Sequence, residues 1–366
     1  MIFQYEPLIG EEERIAVNNY MLNPGFLTEY KKTTEFEEKI AEYLDVKHCI
    51  VVNNGTISLS LALLALGIKP GDKVIVPNLT MIASINAIRL IGAIPVLEDV
   101  DSRLLLSLTR TVARIKADPT IKAVMFVSLN GRHFLDNKFI EWCKKHNVAL
   151  LDDAAQSFGS CDYLGNKIGG QCDIASFSFS MPKIITTGQG GCLTTNNDEL
   201  AKTLRRLKDF GRDSGGNDSH PVFGINSKFT ELQAIIGLAQ LSSIEWRVNR
   251  KKEIYKRYYD NLKYVKGIQF IDTDLSITTP WFIDIFVNNQ KRFIAEMKER
   301  GIGCRAIYPA LHTQGTCVEF SPIEFIFCAE NSIKYSNSGV WLPSSFTLTD
   351  DAIDIICNEI KEILNG

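Results

Sequence analysis

Short, unbroken apolar runs constrain this chain more than any other feature. Residues 49–52, 73–76, 94–97, 123–127 and 148–151 are apolar at nearly every position and do not alternate with polar ones. Strands buried on both faces read this way, the pattern of a parallel sheet covered by helices. Segments with helical character lie around and between these runs, at 11–21, 34–45, 57–66, 81–91 and 136–146. In the second of them Phe36, Ile40 and Tyr43 recur at helical spacing. Strands near 174–179 and 191–195 and a helix near 198–208 complete a doubly wound α/β pattern through about residue 210. Residues 229–264 read as two helices, the second long and charged. From about 280 the pattern becomes α+β, with a strand near 281–287, a helix at 290–300 and a last helix near 349–364. A chain of 366 residues exceeds one ordinary domain. The expected organisation is a large α/β domain over 1–245 and a smaller C-terminal α+β domain over 246–366.

Composition removes several classes of function. Hydrophobic residues make up 45% and charged residues 23%, which excludes a disordered chain. The formal net charge of -3 lacks the basic footprint of a nucleic-acid binder. No apolar run approaches the ~20 residues of a membrane span, and the start, Met1-Ile2-Phe3-Gln4-Tyr5-Glu6, has no basic-then-apolar signal pattern. Nine cysteines include no Cys-x-x-Cys pair, and no two of the five histidines lie two to four residues apart. Reduced thiols in a cytoplasmic compartment, with no metal site, are expected.

Chemistry-bearing residues gather beside the predicted strands, where open α/β sheets bind ligands. Asn54-Gly55-Thr56 opens a helix after the first run. Free amides there suit a phosphate, although a capped turn reads the same way. Asp152-Asp153-Ala154-Ala155-Gln156 ends the 148–151 strand; a carboxylate there either holds a cationic ring nitrogen or caps the next helix. Ser176-Phe177-Ser178-Phe179-Ser180-Met181-Pro182-Lys183 runs into Thr186-Thr187-Gly188-Gln189-Gly190-Gly191. A desolvated lysine can form a Schiff base, whereas most lysines are solvated surface. No Gly-Lys-Ser/Thr follows the glycines, which excludes a P-loop. Arg305, Tyr308 and His312 share one late segment and could contact a polar substrate; a lone histidine is also often structural.

Taken in order, these segments resemble the DegT/DnrJ/EryC1/StrS family of sugar aminotransferases, which depend on pyridoxal 5'-phosphate (PLP). The match runs from Asn54-Gly55-Thr56 through Pro77 to Asn86, Asp152 to Gln156, Phe177 to Lys183 and Thr186-Thr187-Gly188. It continues in Gly224-Ile225-Asn226-Ser227-Lys228-Phe229-Thr230 and Tyr308-Pro309-Ala310-Leu311-His312, covering about residues 10–364. Within the family the chain looks most similar to 4-aminotransferases of the perosamine synthase type. The resemblance implies a mainly parallel seven-stranded sheet of the type I aminotransferase fold.

It also implies roles. Lys183 would hold PLP as a Schiff base, Asp153 would pair with the pyridine nitrogen, and Gln156 would lie near the ring hydroxyl. Gly55, Thr56 and Ser178 would bind the phosphate, with Asn226 reaching it from a second subunit of a homodimer. Met81 stands where an aromatic usually covers the ring. Arg305, Tyr308 and His312 would face a nucleotide-linked 4-keto-6-deoxyhexose, GDP-linked ahead of UDP or dTDP, with L-glutamate as amino donor. Arg132 and Lys228 join Arg305 as candidates for the diphosphate. Departures from the family pattern are Ser128-Leu129-Asn130-Gly131 at a strand end, Lys228 in place of arginine and Gln189 in place of glutamate. Amination at C3 of a dTDP- or UDP-linked 3-keto sugar, and a non-catalytic descendant of the fold, are the alternatives. A family branch that dehydrates its sugar carries histidine at the lysine position, and Lys183 argues against it.

Overall fold

The computed structural model describes residues 1–23, 25–213, 218–315, 323–324 and 329–365. Strands β1 (His48–Val52), β2 (Lys73–Pro77), β3 (Ile94–Glu98), β4 (Ile121–Val127), β5 (Ala149–Asp153), β6 (Ile174–Ser178) and β7 (Gly191–Thr195) form one sheet, in the order β1-β7-β6-β5-β4-β2-β3. Every neighbouring pair is parallel except those of β7, which runs antiparallel to β1 and β6. A parallel return needs a crossover, usually helical. No helix lies between β6 and β7, so the chain doubles back, and Lys183 lies on that connection.

The helices of this lobe are α1 (Glu11–Leu22), α2 (Lys31–Leu44), α3 (Gly55–Ala65), α4 (Ile82–Leu90), α5 (Leu108–Ala117), α6 (Asn137–Lys145), α7 (Asp198–Lys208) and α8 (Glu231–Ser242). Side-chain alternation along the strands assigns them to faces. Ile50 and Val52 of β1 pack with Leu59 of α3, Ile88 of α4 and Leu204 of α7. Cys49 and Val51 point the other way, to Phe36 and Ile40 of α2 and Leu241 of α8. Ile115 of α5 and Phe139 of α6 cover Val124 and Phe126 of β4. Burying each such side chain contributes about 1.5–3 kcal/mol, which is why these strands carry no polar face.

The rest of the chain builds α9 (Ile244–Leu262), β8 (Ile268–Gln269), β9 (Ile283–Val287), α10 (Gln290–Glu299), β10 (Arg305–Ala306), α11 (Glu330–Ser338), β11 (Gly339–Leu342) and α12 (Asp350–Asn365). Its sheet is antiparallel, ordered β10-β11-β9-β8. Helix α9 joins the lobes. Ile244 and Val248 belong to the core around Phe36 and Phe177, while Ile254, Tyr258 and Leu262 pack with Ile283, Val340 and Ile356. The division proposed at 245/246 falls in the first turn of this helix. The extreme N-terminus lies on the C-terminal lobe, where Ile2 bridges Ile302 and the Ser344 amide donates to the Gln4 carbonyl at 3.1 Å.

Candidate active site

The carboxyl ends of β1, β4, β5 and β6 and three side chains of the C-terminal lobe, Trp281, Arg305 and Tyr308, line a cavity of about 520 Å3. Helix α3 begins there. Asn54 caps it, its Oδ1 accepting from the Ile57 amide at 2.9 Å. That leaves the Gly55 and Thr56 amides, with no preceding turn to bond to, for a ligand. A side chain on Gly55 would not fit, because a Cβ there would lie 2.9 Å from Ser178 Cβ. The missing side chain lets α3 approach β6 and brings the Ser178 hydroxyl to the helix terminus, so amides and hydroxyls converge on one anion-sized place.

Strand alternation separates the two adjacent acids. Asp152 points away from the cavity and accepts from Ser128 Oγ at 2.9 Å, with His133 Nδ1 at 3.4 Å. Burial raises the Asp152 carboxyl to about 8 and lowers His133 to about 4. Asp153 lines the cavity and is 6% exposed. Ser84 Oγ donates to its Oδ2 at 2.7 Å, and the Ala155 amide to its Oδ1 at 3.3 Å. Burial raises its pKa, against the lowering effects of Ser84 and the Lys183 charge. A cationic N–H brought into the cavity would relieve that desolvation.

Gln156 is fixed from both ends. Its Oε1 accepts from the Asn130 amide at 2.8 Å, and its Nε2 donates to the Tyr308 hydroxyl at 3.3 Å. Asn130 sits at φ 55, a left-handed conformation that asparagine tolerates, and its Oδ1 accepts from the Phe282 amide at 2.7 Å. The unusual Ser128–Gly131 segment therefore ties Gln156 to the start of β9.

Lys183 is 9% exposed and lines the cavity. Its pKa falls to about 8, driven down by burial, raised in part by Asp153 and lowered further by Arg305. A tenth or so of such an amine is neutral at pH 7, which a solvated lysine does not approach. Its Nζ lies 4.3 Å from the centre of the Trp281 ring, whose N–H donates to the Pro182 carbonyl at 2.6 Å.

The other expected residues divide. Met81 lines the cavity, half-exposed at the N-cap of α4, its sulfur accepting from the Ala83 amide at 3.0 Å. Arg305 lines it too, its guanidinium over the Trp341 ring at 4.7 Å. His312 is not among the lining residues; its Nδ1 lies 2.8 Å from Asn78 Nδ2 and 3.0 Å from Asn78 Oδ1, and its amide donates to Oδ1. Asn226 is exposed and also absent from the cavity of its own chain. Arg132 is occupied elsewhere, buried in a bidentate pair with Asp284 at 2.8 and 2.7 Å. Lys228 pairs with Asp209 at 2.9 Å. The sequence reading missed Ser84 and Trp281. Ser84 lies three residues after Met81 on the α4 first turn, a helical spacing that could have indicated it; Trp281 carries no local signal.

These residues fit PLP. An anion place at the α3 terminus, a buried carboxyl and a buried amine with a depressed pKa share one cavity. Among the described residues no helix is long and apolar enough to cross a membrane, and no group of three or more His, Cys, Asp or Glu could hold a metal. Every described cysteine is a free thiol; Cys317 and Cys328 lie outside the described residues.

Comparison with known proteins agrees. The model of the DegT/DnrJ/EryC1/StrS aminotransferase family matches residues 7–361. A GDP-perosamine synthase of Caulobacter vibrioides is 34% identical over 90% of this chain and 89% of that protein. One from Vibrio cholerae is 32% identical over 100% of both. The aminotransferase TlmJ from Streptoalloteichus hindustanus superposes with a TM-score of 0.91 at 26% identity, covering 100% of this chain and 99% of that one. The chain belongs to the DegT/DnrJ/EryC1/StrS aminotransferase family and is a PLP-dependent sugar aminotransferase.

Proposed function

We propose that this enzyme transfers the amino group of L-glutamate to C4 of a GDP-linked 4-keto-6-deoxyhexose, giving a perosamine-like 4-amino sugar for a surface polysaccharide. It does so in the cytoplasm, as a homodimer with shared sites. The observation that carries this reading is the near full-length similarity to GDP-perosamine synthases.

PLP, when bound, supplies a carbonyl that accepts amino groups and a ring that takes up an electron pair. The rest is the work of the chain. Gly55 and Thr56 hold the phosphate with amides, Ser178 adds a hydroxyl, and Asn226 reaches it from the second subunit. Asp153, its Oδ2 fixed by Ser84, keeps a proton at the ring nitrogen. Gln156 would sit beside the ring hydroxyl, and Met81 would pack on the ring as a polarisable thioether. Lys183 would hold the cofactor covalently at rest. Once released, its neutral amine takes the proton from the α-carbon of glutamate and later returns a proton to C4 of the sugar. Arg305, stacked on Trp341, offers its fork to the carboxylate of the donor or the diphosphate of the acceptor. Tyr308 meets the sugar, and His312 acts one layer further out, through Asn78.

A panel of GDP-, UDP- and dTDP-linked 4-keto and 3-keto sugars, incubated with glutamate and followed by 2-oxoglutarate release, tests this reading. Turnover is expected with the GDP-linked 4-keto-6-deoxy sugar. Turnover confined to a 3-keto sugar defeats the C4 assignment.

A further inference from the structure

One side chain of the C-terminal lobe holds the Lys183 region at two points. The Trp281 N–H fixes the Pro182 carbonyl at 2.6 Å, and the Trp281 ring lies 4.3 Å from Lys183 Nζ. Trp281 is itself clamped. It is 2% exposed, Phe282 stacks on it at 3.9 Å, and Trp341 meets it edge-on at 5.5 Å. The Phe282 amide is tied to Asn130 Oδ1. Tyr5 adds a second hold on the same loop, its hydroxyl donating to the Met181 carbonyl at 3.0 Å. The indole is a fixed wall of the cavity.

We propose that Trp281 is a positioning residue for Lys183, its ring face being the seat for the ammonium form of the lysine amine when it is not covalently engaged. This rests on the reading of Lys183 as the lysine that holds PLP. A π face attracts an ammonium and not a neutral amine. Burial acts in the opposite direction. The charged groups that face Lys183 are Asp153 on β5, which favours the ammonium, and Arg305 on β10, which disfavours it. The Tyr308 hydroxyl lines the same cavity and is kept neutral by burial. The ring offsets part of the burial effect without the grip of an adjoining carboxylate. An amine that must both take and return a proton needs its two forms within reach of neutral pH, and a π face provides that where an ion pair would not.

The test uses apoprotein, so activity of the loaded enzyme is not the readout. The rate of Lys183 acetylation by acetic anhydride is followed against pH by peptide mass spectrometry in wild type, Trp281→Phe and Trp281→Met. Both variants lose the N–H, but only Trp281→Phe keeps a π face. In Trp281→Met the midpoint is expected to fall by about half to one pH unit, and Lys183 to react roughly three- to fivefold faster at pH 7. Trp281→Phe is expected to stay close to wild type. Should Trp281→Met fail to fold, Trp281→Leu takes its place, with thermal unfolding as the check. Equal midpoints in wild type and the methionine or leucine variant, or equal shifts in that variant and Trp281→Phe, overturn the proposal. Borohydride reduction of wild-type holoenzyme separates the two levels. Cofactor found on another lysine defeats the reading of Lys183 itself, whereas cofactor on Lys183 with unmoved midpoints defeats the role of Trp281 alone.

Discussion

Asp152 and Asp153 are neighbours in sequence and strangers in environment. The pleat of β5 gives Asp153 to the cavity and Asp152 to a closed pocket with Ser128 and His133. Their substitutions should therefore part. Asp153→Asn removes the carboxylate proposed to keep a proton on the ring nitrogen, and turnover should fall on the order of a thousandfold or more with thermal stability little changed. Lys183→Ala should abolish turnover and the borohydride-reducible cofactor linkage; normal turnover in that variant would remove Lys183 from its role. Asp152→Asn should leave turnover within about tenfold and change the pH dependence of stability instead. The Asp152 pKa rises from 3.8 to about 8 on folding, so between those values the native state keeps a proton that the unfolded state has released. Stability from this group is present at low pH and lost as pH rises through 8. His133, lowered from 6.5 to about 4, acts in the opposite sense between pH 4 and 6.5. Asp152 thus stands clear of it from 6.5 to 8. Over that window the stability of wild type relative to Asp152→Asn, measured by urea unfolding, should decline.

The meeting of α3 with β6 is the element on which the proposed phosphate binding depends. Gly55→Ala would place a methyl 2.9 Å from Ser178 Cβ, pushing the helix terminus away from the strand. We expect PLP affinity to drop about tenfold or more, with far-ultraviolet circular dichroism unchanged. Affinity equal to wild type would show that α3 does not bind the phosphate. This element was legible in the sequence, because a buried run ending in Asn54-Gly55-Thr56 has few other conformations open to it. Strands β1 to β5 were legible for the same reason, their central residues being apolar on both faces. Helix α5 was left unassigned: Leu108, Val112 and Ile115 do share one face, but Thr109, Thr111 and Val112 are β-branched and blur the signal. β10 is two residues long and β11 four, too short for any period to emerge. Within the site, Lys183 and Asp153 were found through motif order. Their burial was not readable, because it comes from Trp281 and α4, far along the chain. Arg132 illustrates the converse: an arginine in a candidate loop looked available until Asp284, 152 residues later, took both arms of its fork.

At the scale of the whole molecule, the proposed homodimer makes a claim about the cavity that one chain alone does not meet. The site of one chain combines the end of the large sheet with Trp281, Arg305 and Tyr308, and Asn226, exposed and bridged to Asp209, stands outside it. If Asn226 completes the phosphate site of the other subunit, two differently damaged chains must repair one another. In a mixed dimer of Lys183→Ala and Asn226→Ala, one site combines both lesions and the other has intact Lys183 with intact Asn226. Random exchange of equal amounts makes about half the dimers mixed, each with one sound site, so roughly a quarter of wild-type turnover should return. Each variant alone should remain near its own low rate. Exchange demonstrated by mass-tagged subunits, without recovery of activity, would show that Asn226 serves its own chain or none.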